Sequence, residues 1–173
     1  MTAGAAAEAK GTTGGDALER DLEPLLDAGY RLALVMLRER HEAQDATQDA
    51  AVLAWRRVGQ LRDPALLRSW FLSIVANECR SRLRRPWRAV AGLAADIAAP
   101  FSEDAIVSGL DVSAALARLP ARDRLALYLH YYEDLTVSEA ARVAGCREAA
   151  FRSRLYRAVA RLRDLLAEPE GTP

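Results

Sequence analysis

Apolar positions recur at helical spacing through most of this chain. Leu22, Leu25, Leu26, Tyr30, Ala33, Leu34 and Leu37 predict a first amphipathic helix. Ala46, Ala50, Leu53 and Ala54 predict a second over about 43–58, with Trp55 near its end. Asp63-Pro64 has the form of an N-cap followed by proline in the first helical turn. Leu67, Trp70, Phe71, Ile74 and Val75 then make an i, i+3, i+4, i+7, i+8 stripe, a spacing that favours core packing over base stacking for the two aromatics. Periodicity lapses over 86–109, "PWRAVAGLAADIAAPFSEDAIVSG", which reads as a linker. It returns in "DVSAALARLP", a short helix closed by Pro120, and in "ARDRLALYLHYYED", where Leu125, Leu129 and Tyr132 share a face. Residues 1–16 are poor in large apolar side chains and read as a disordered tail. The expected fold is all-α: two small helical domains, 17–85 and 110–167, joined by the 86–109 linker.

The segment "LTVSEAARVAGCREAAFRSRLYRAVARLR", 135–163, holds two helical runs separated by Ala144-Gly145-Cys146. Thr136-Val137-Ser138-Glu139 fits a capping box at the start of the first. Gly145 suits the left-handed residue that ends it. The second run, about 147–165, is expected to bury Ala150, Phe151, Leu155, Ala158, Val159 and Leu162. Arg147, Arg152, Ser153, Arg154, Tyr156 and Arg157 lie in its N-terminal half. A short helix, a glycine turn and a polar-starting helix make the helix-turn-helix layout, whose second helix enters the major groove by its first residues. Arginine there binds guanine O6 and N7 in bidentate fashion, and serine and arginine hold phosphates. An amphipathic helix with a solvated arginine face remains the alternative.

Charge changes the picture through its distribution. The formal net charge is zero, yet 80–88 carries Arg80, Arg82, Arg84, Arg85 and Arg88 with no acid, and 142–163 carries seven arginines against Glu148 alone. Lys10 is the only lysine; a GC-rich coding bias accounts for that ratio but not for the clustering. Cys79, Cys146, His41 and His130 make no metal-ligand spacing, so no metal and no cofactor are expected. Neither a nucleophile–base pair nor a phosphate-binding glycine loop stands out, which argues against an enzyme. Residues 1–16 hold no apolar signal-peptide core and no run is long enough to span a bilayer, so a cytoplasmic location is expected.

These segments resemble the extracytoplasmic-function group of bacterial RNA polymerase sigma factors. Residues 116–166 are similar to the family's region 4 through Leu119-Pro120, Tyr132-Glu133, Gly145-Cys146 and Arg152-Ser153-Arg154-Leu155. "EAQDATQDAAVLAWRRV", 42–58, resembles region 2.2 through Asp45, Gln48, Asp49 and Trp55. "LLRSWFLSIVANECRSRLRR", 66–85, resembles the next helix through Trp70, Phe71, Ala76, Asn77 and the closing arginine pair. Ser81 stands where the family has Asp, and Arg147-Glu148-Ala149-Ala150-Phe151 replaces its Pro-x-Gly-Thr-Val opening. The resemblance implies a chain that directs core RNA polymerase to promoters. Asp45, Gln48 and Asp49 would dock on core polymerase. Asn77, Arg80, Arg82, Arg84 and Arg85 would face the melted −10 element, with the 59–66 loop as a base pocket. Arg147, Glu148, Arg152, Ser153, Arg154, Tyr156 and Arg157 would read the −35 duplex. It also implies an anti-sigma protein as a partner, although no segment identifies one. The rival expectation is a helix-turn-helix regulator that binds DNA without core polymerase.

Overall fold

A computed structural model describes residues 9–84 and 110–167. The all-α expectation is met: the described residues form seven α-helices. The first half holds α1 (Ala9–Leu37), α2 (Arg40–Arg57) and α3 (Leu67–Leu83). The second holds α4 (Leu110–Arg118), α5 (Ala121–Leu127), α6 (Val137–Ala144) and α7 (Glu148–Ala167). The 86–109 linker and Arg85 lie outside the described residues.

α1 begins at Ala9, inside the segment expected as a tail. Once a helical nucleus exists, each added residue brings one hydrogen bond, so a helix extends past the apolar residues that anchor it. Pro24 falls within it, on the exposed side. α1 stops at Arg38, whose φ of 60° is left-handed and whose N–H still donates to the Leu34 carbonyl at 2.9 Å. Glu39 then caps α2, its carboxylate accepting from the amides of His41 and Glu42. Ala43, Ala46, Ala50 and Ala54 form the buried alanine stripe of α2 and let it lie close on its neighbours. Asp63 caps the turn into α3 by accepting from the Ala65 amide at 3.0 Å. Phe71 and Val75 are fully buried on α3, as their spacing predicts. Gly29 of α1 packs against them: a Cβ there would stand 2.8 Å from the Phe71 ring.

In the second half α5 passes into a π-helical turn, Tyr128–Tyr132, before the chain reverses through Asp134, also left-handed at φ 51°. Leu125 and Leu129 are buried there, but Tyr132 is partly exposed and stacks on the Tyr128 ring at 5.0 Å. A small apolar cluster of Leu116, Leu119, Leu127 and Ala158 seats α7 on α4 and α5.

The halves are not separate bodies. One continuous apolar cluster joins Leu32, Val35, Phe71 and Val75 of the first to Tyr128, Leu129, Val143 and Phe151 of the second. α5 lies on α1 and α6 on α3.

Candidate nucleic-acid and polymerase interfaces

The helix-turn-helix is built as its residues predict. The Thr136 hydroxyl accepts from the Glu139 amide, and the Thr136 amide donates to the Glu139 carboxylate at 3.0 Å, closing the capping box. Hydrogen bonds from Thr136 hold the Glu139 carboxyl below its usual range. Gly145 has φ 64°, and the Cys146 and Gly145 amides donate to the Ala141 and Arg142 carbonyls at 3.0 and 3.1 Å, a Schellman ending.

α7 buries Phe151 and Ala158 and half-buries Leu155 and Leu162, an i, i+4, i+7, i+11 stripe. Ala150 is exposed rather than buried, because it lies about a quarter turn off that stripe. Arg147, Glu148, Arg152, Ser153, Tyr156 and Arg157 are all exposed, Tyr156 most fully at 79%. Arg154 is half-buried, its Nη1 3.9 Å from the Cys146 sulfur. Arg152 meets Glu148 at 3.4 Å, an exposed i, i+4 pair too weak to fix it against a stronger partner. The Arg157 Nε donates to the Ser153 carbonyl at 3.1 Å. Arg152, Ser153, Tyr156 and Arg157 therefore share the side of α7 opposite its buried stripe, while Arg154 flanks that stripe beside the turn.

On α2, Asp45, Gln48 and Asp49 are exposed, and the same side continues through Val52 and Trp55, both about half exposed. Spacings of three, four and seven make this a single stripe, and the two apolar members were not among the expected contacts.

The expected arginine wall of α3 divides. Arg82 is buried, with its guanidinium between Glu42 at 3.0 Å and Asp49 at 2.5 Å. Burial opposes its charge, but hydrogen bonds to the two carboxylates outweigh that and raise its pKa. Arg82 is thus corrected from a DNA-facing residue to the tie between α3 and α2, since a residue seven after Val75 points to the same core. Asn77 and Arg84 are exposed. Arg80 is half-buried; it donates to Asn77 Oδ1 at 2.6 Å and to the Ala144 carbonyl at 3.1 Å. Burial holds its pKa below the usual arginine range. The 59–66 loop does border a cleft of about 300 Å³, lined among others by Leu61, Asp63, Trp70, Ser73 and, from α6, Arg142.

Sequence comparison agrees with this geometry. The Sigma-70 region 2 profile matches residues 21–89, and the Sigma-70, region 4 profile matches 110–162. An ECF RNA polymerase sigma factor of Mycobacterium tuberculosis, SigM, is 36% identical over 138 residues, covering 79% of this chain and 70% of the relative. The chain belongs to the ECF RNA polymerase sigma factors. RNA polymerase sigma factor SigV of Bacillus subtilis is 28% identical over 82% of this chain and 86% of its own length. Among solved structures, the sigma factor RpoE from Bartonella quintana, in complex with the anti-sigma factor NepR, superposes with TM-score 0.75 at 25% identity over 88% of this chain and 99% of that one. CnrH in complex with the cytosolic domain of CnrY gives 0.57 at 26% identity, over 90% and 89%.

As an ECF sigma factor the protein is a promoter-specificity subunit of RNA polymerase, with core polymerase and promoter DNA as its partners, not a regulator that acts without polymerase. Among the described residues no helix is long and apolar enough to cross a membrane.

Proposed function

We propose that this sigma factor grips a promoter at two points while docked on core polymerase through α2. Asp45, Gln48 and Asp49, extended by Val52 and Trp55, make the docking stripe. Asn77, Arg80 and Arg84, with Arg85 beyond the described residues, line the path of the melted −10 strand. The cleft beside Trp70, about 300 Å³, combines the apolar surface of Leu61, Leu66 and Trp70 with polar groups such as Asp63 and Ser73, a setting suited to a flipped base. Arg147, Glu148, Arg152, Ser153, Arg154, Tyr156 and Arg157 read the −35 duplex. The observation that carries the reading is the exposed polar face at the start of α7, behind a capped helix and a Schellman turn. The protein works in the cytoplasm with no chemistry of its own, and the complexes known for its neighbours make an anti-sigma protein its natural restraint.

Run-off transcription with purified core polymerase on genomic promoter fragments tests the proposal. Initiation at defined starts is expected, and no transcript together with no co-purifying core overturns it. Asp45→Arg isolates the docking stripe better than a change at Asp49, which also serves Arg82. Asp45→Arg is expected to abolish core binding with the melting temperature unchanged; wild-type affinity for core removes that assignment.

A further inference from the structure

Glu148 is the single acid among the seven arginines of 142–163. Phosphates repel a carboxylate, so a surface that only gripped the DNA backbone would bind more tightly without it. Its place in the helix is specific. Glu148 is the first residue of α7, and the first residues of a recognition helix are those that meet base edges. Ala149 and Ala150 follow it, both exposed and neither with a hydrogen-bonding side chain. An acid at a helix start and an exposed ion pair each stabilise a helix only slightly.

Glu148 stands four residues before Arg152, about 6 Å along the axis, yet the two side chains converge. Arg152 Nη2 donates to Glu148 Oε2 at 3.4 Å. The contact uses one carboxylate oxygen and one guanidinium nitrogen, and the two side chains stay 49% and 66% exposed. The second oxygen and the remaining N–H groups can therefore meet base edges together. They reach the same base pair or adjacent ones, since successive pairs are about 3.4 Å apart. In the major groove each base offers its own set of groups. Guanine offers two acceptors, which suit Arg152 and oppose a carboxylate. Thymine offers an acceptor and a methyl group. Adenine offers an amine, but the N7 acceptor beside it opposes the second carboxylate oxygen. Cytosine offers the N4 amine with no acceptor next to it. A carboxylate paired to an arginine meets cytosine alone without repulsion.

On the reading that α7 contacts the −35 duplex, we propose that Glu148 is a specificity-determining residue of that contact. Its carboxylate accepts from the N4 amine of a cytosine within one base pair of the guanine that Arg152 reads, and it rejects the other three bases. Exclusion matters as much as attraction, because any other base leaves a carboxylate facing acceptors or unpaired in the groove. Glu148 also falls at the open position of the Pro-x-Gly-Thr-Val opening that this chain replaces, so the choice it makes belongs to this chain.

Holoenzyme reconstituted from core polymerase and the full chain is given a promoter library randomised across the −35 element, and the run-off products are sequenced. Wild type is compared with Glu148→Ala and Glu148→Gln. Wild type should favour cytosine about tenfold at one position beside a preferred guanine. Glu148→Ala should flatten the preference at that position and leave the others unchanged, with output from templates bearing the other three bases rising relative to cytosine. Glu148→Gln should move the preference to adenine, whose N6 and N7 suit an amide. Coincident base preferences in wild type and Glu148→Ala overturn the assignment, even if total output falls. So does a loss confined to the guanine position, which would make Glu148 only a support for Arg152. Wild type without base preference anywhere in the −35 element overturns the placing of α7 on that duplex, and the cytosine contact with it. Should Glu148→Ala fail to fold, by circular dichroism, the shift to adenine in the near-isosteric Glu148→Gln decides alone.

Discussion

Arg152 and Arg154 stand two residues apart but face different surroundings. Arg152 is exposed and meets only Glu148, so it is free to turn to a base edge. Arg154 is half-buried beside Cys146 and is held close to the turn. Arg152→Ala should cost about 1–3 kcal/mol of promoter affinity and relax the choice at one base pair. Arg154→Ala should weaken all promoters about equally, as loss of a phosphate contact does. A promoter library assayed by run-off separates the two patterns, and indistinguishable profiles would remove the division. Arg82 behaves in the opposite sense from both. Leaving Glu42 without its buried cation should cost several kcal/mol, on the order of the 3–5 seen for broken buried pairs, so Arg82→Ala lowers the urea midpoint before any DNA is involved. Much of this was legible in sequence. Residue 82 sits seven after Val75 and eleven after Phe71, on the core side of a visible stripe, and the run of arginines around it hid that. Glu42 as its partner was not legible, because a pair forty positions apart leaves no periodic trace.

At the scale of elements, caps and turns were the most readable features because they are local. Thr136, Glu139 and Gly145 act within one helical turn, and each does what its type and position predict. The Glu139 carboxyl has a depressed pKa in the folded protein, so its contribution is present above the ordinary carboxylate value and is lost as pH falls through the folded one. Urea titrations of wild type and Glu139→Gln should therefore differ at pH 7, and the difference should shrink as pH falls below the ordinary glutamate value. A gap that does not narrow at any acid pH would mean the capping box acts without its charge. Gly29 shows the converse. A glycine within α1 reads as a weak point, since alanine is a better helix former, but its missing Cβ is what admits the Phe71 ring. Gly29→Ala should lower stability by about 1–3 kcal/mol by overpacking; an increase in melting temperature would show that Phe71 moves aside. Close approach of this kind depends on α1 meeting α3, which no local pattern states.

For the whole molecule, each half was legible as a helical unit, but the union of the two was not. Tyr132-Glu133 looked like a family signature without a task; Glu133 turns out to be the acid that Arg68 of the other half seizes. Arg38, Arg68 and Arg124 gave no sign of importance, because an arginine aimed at a carbonyl in another part of the chain looks the same as a solvated one. The shared cluster from Leu32 to Phe151 predicts that the free protein melts in a single calorimetric transition, with van't Hoff and calorimetric enthalpies equal. Two resolved transitions would show that the halves are thermodynamically independent.

The shared core also limits how such a protein can be recombined. A chimera that imports its second half from a relative would bring its own Tyr128, Val143 and Phe151 equivalents against an unmatched Leu32, Phe71 and Val75, and would lose register at each of those arginines. New promoter preferences should instead be grafted onto the outer face of α7 alone, residue by residue, where the side chains answer to DNA and not to the rest of the fold.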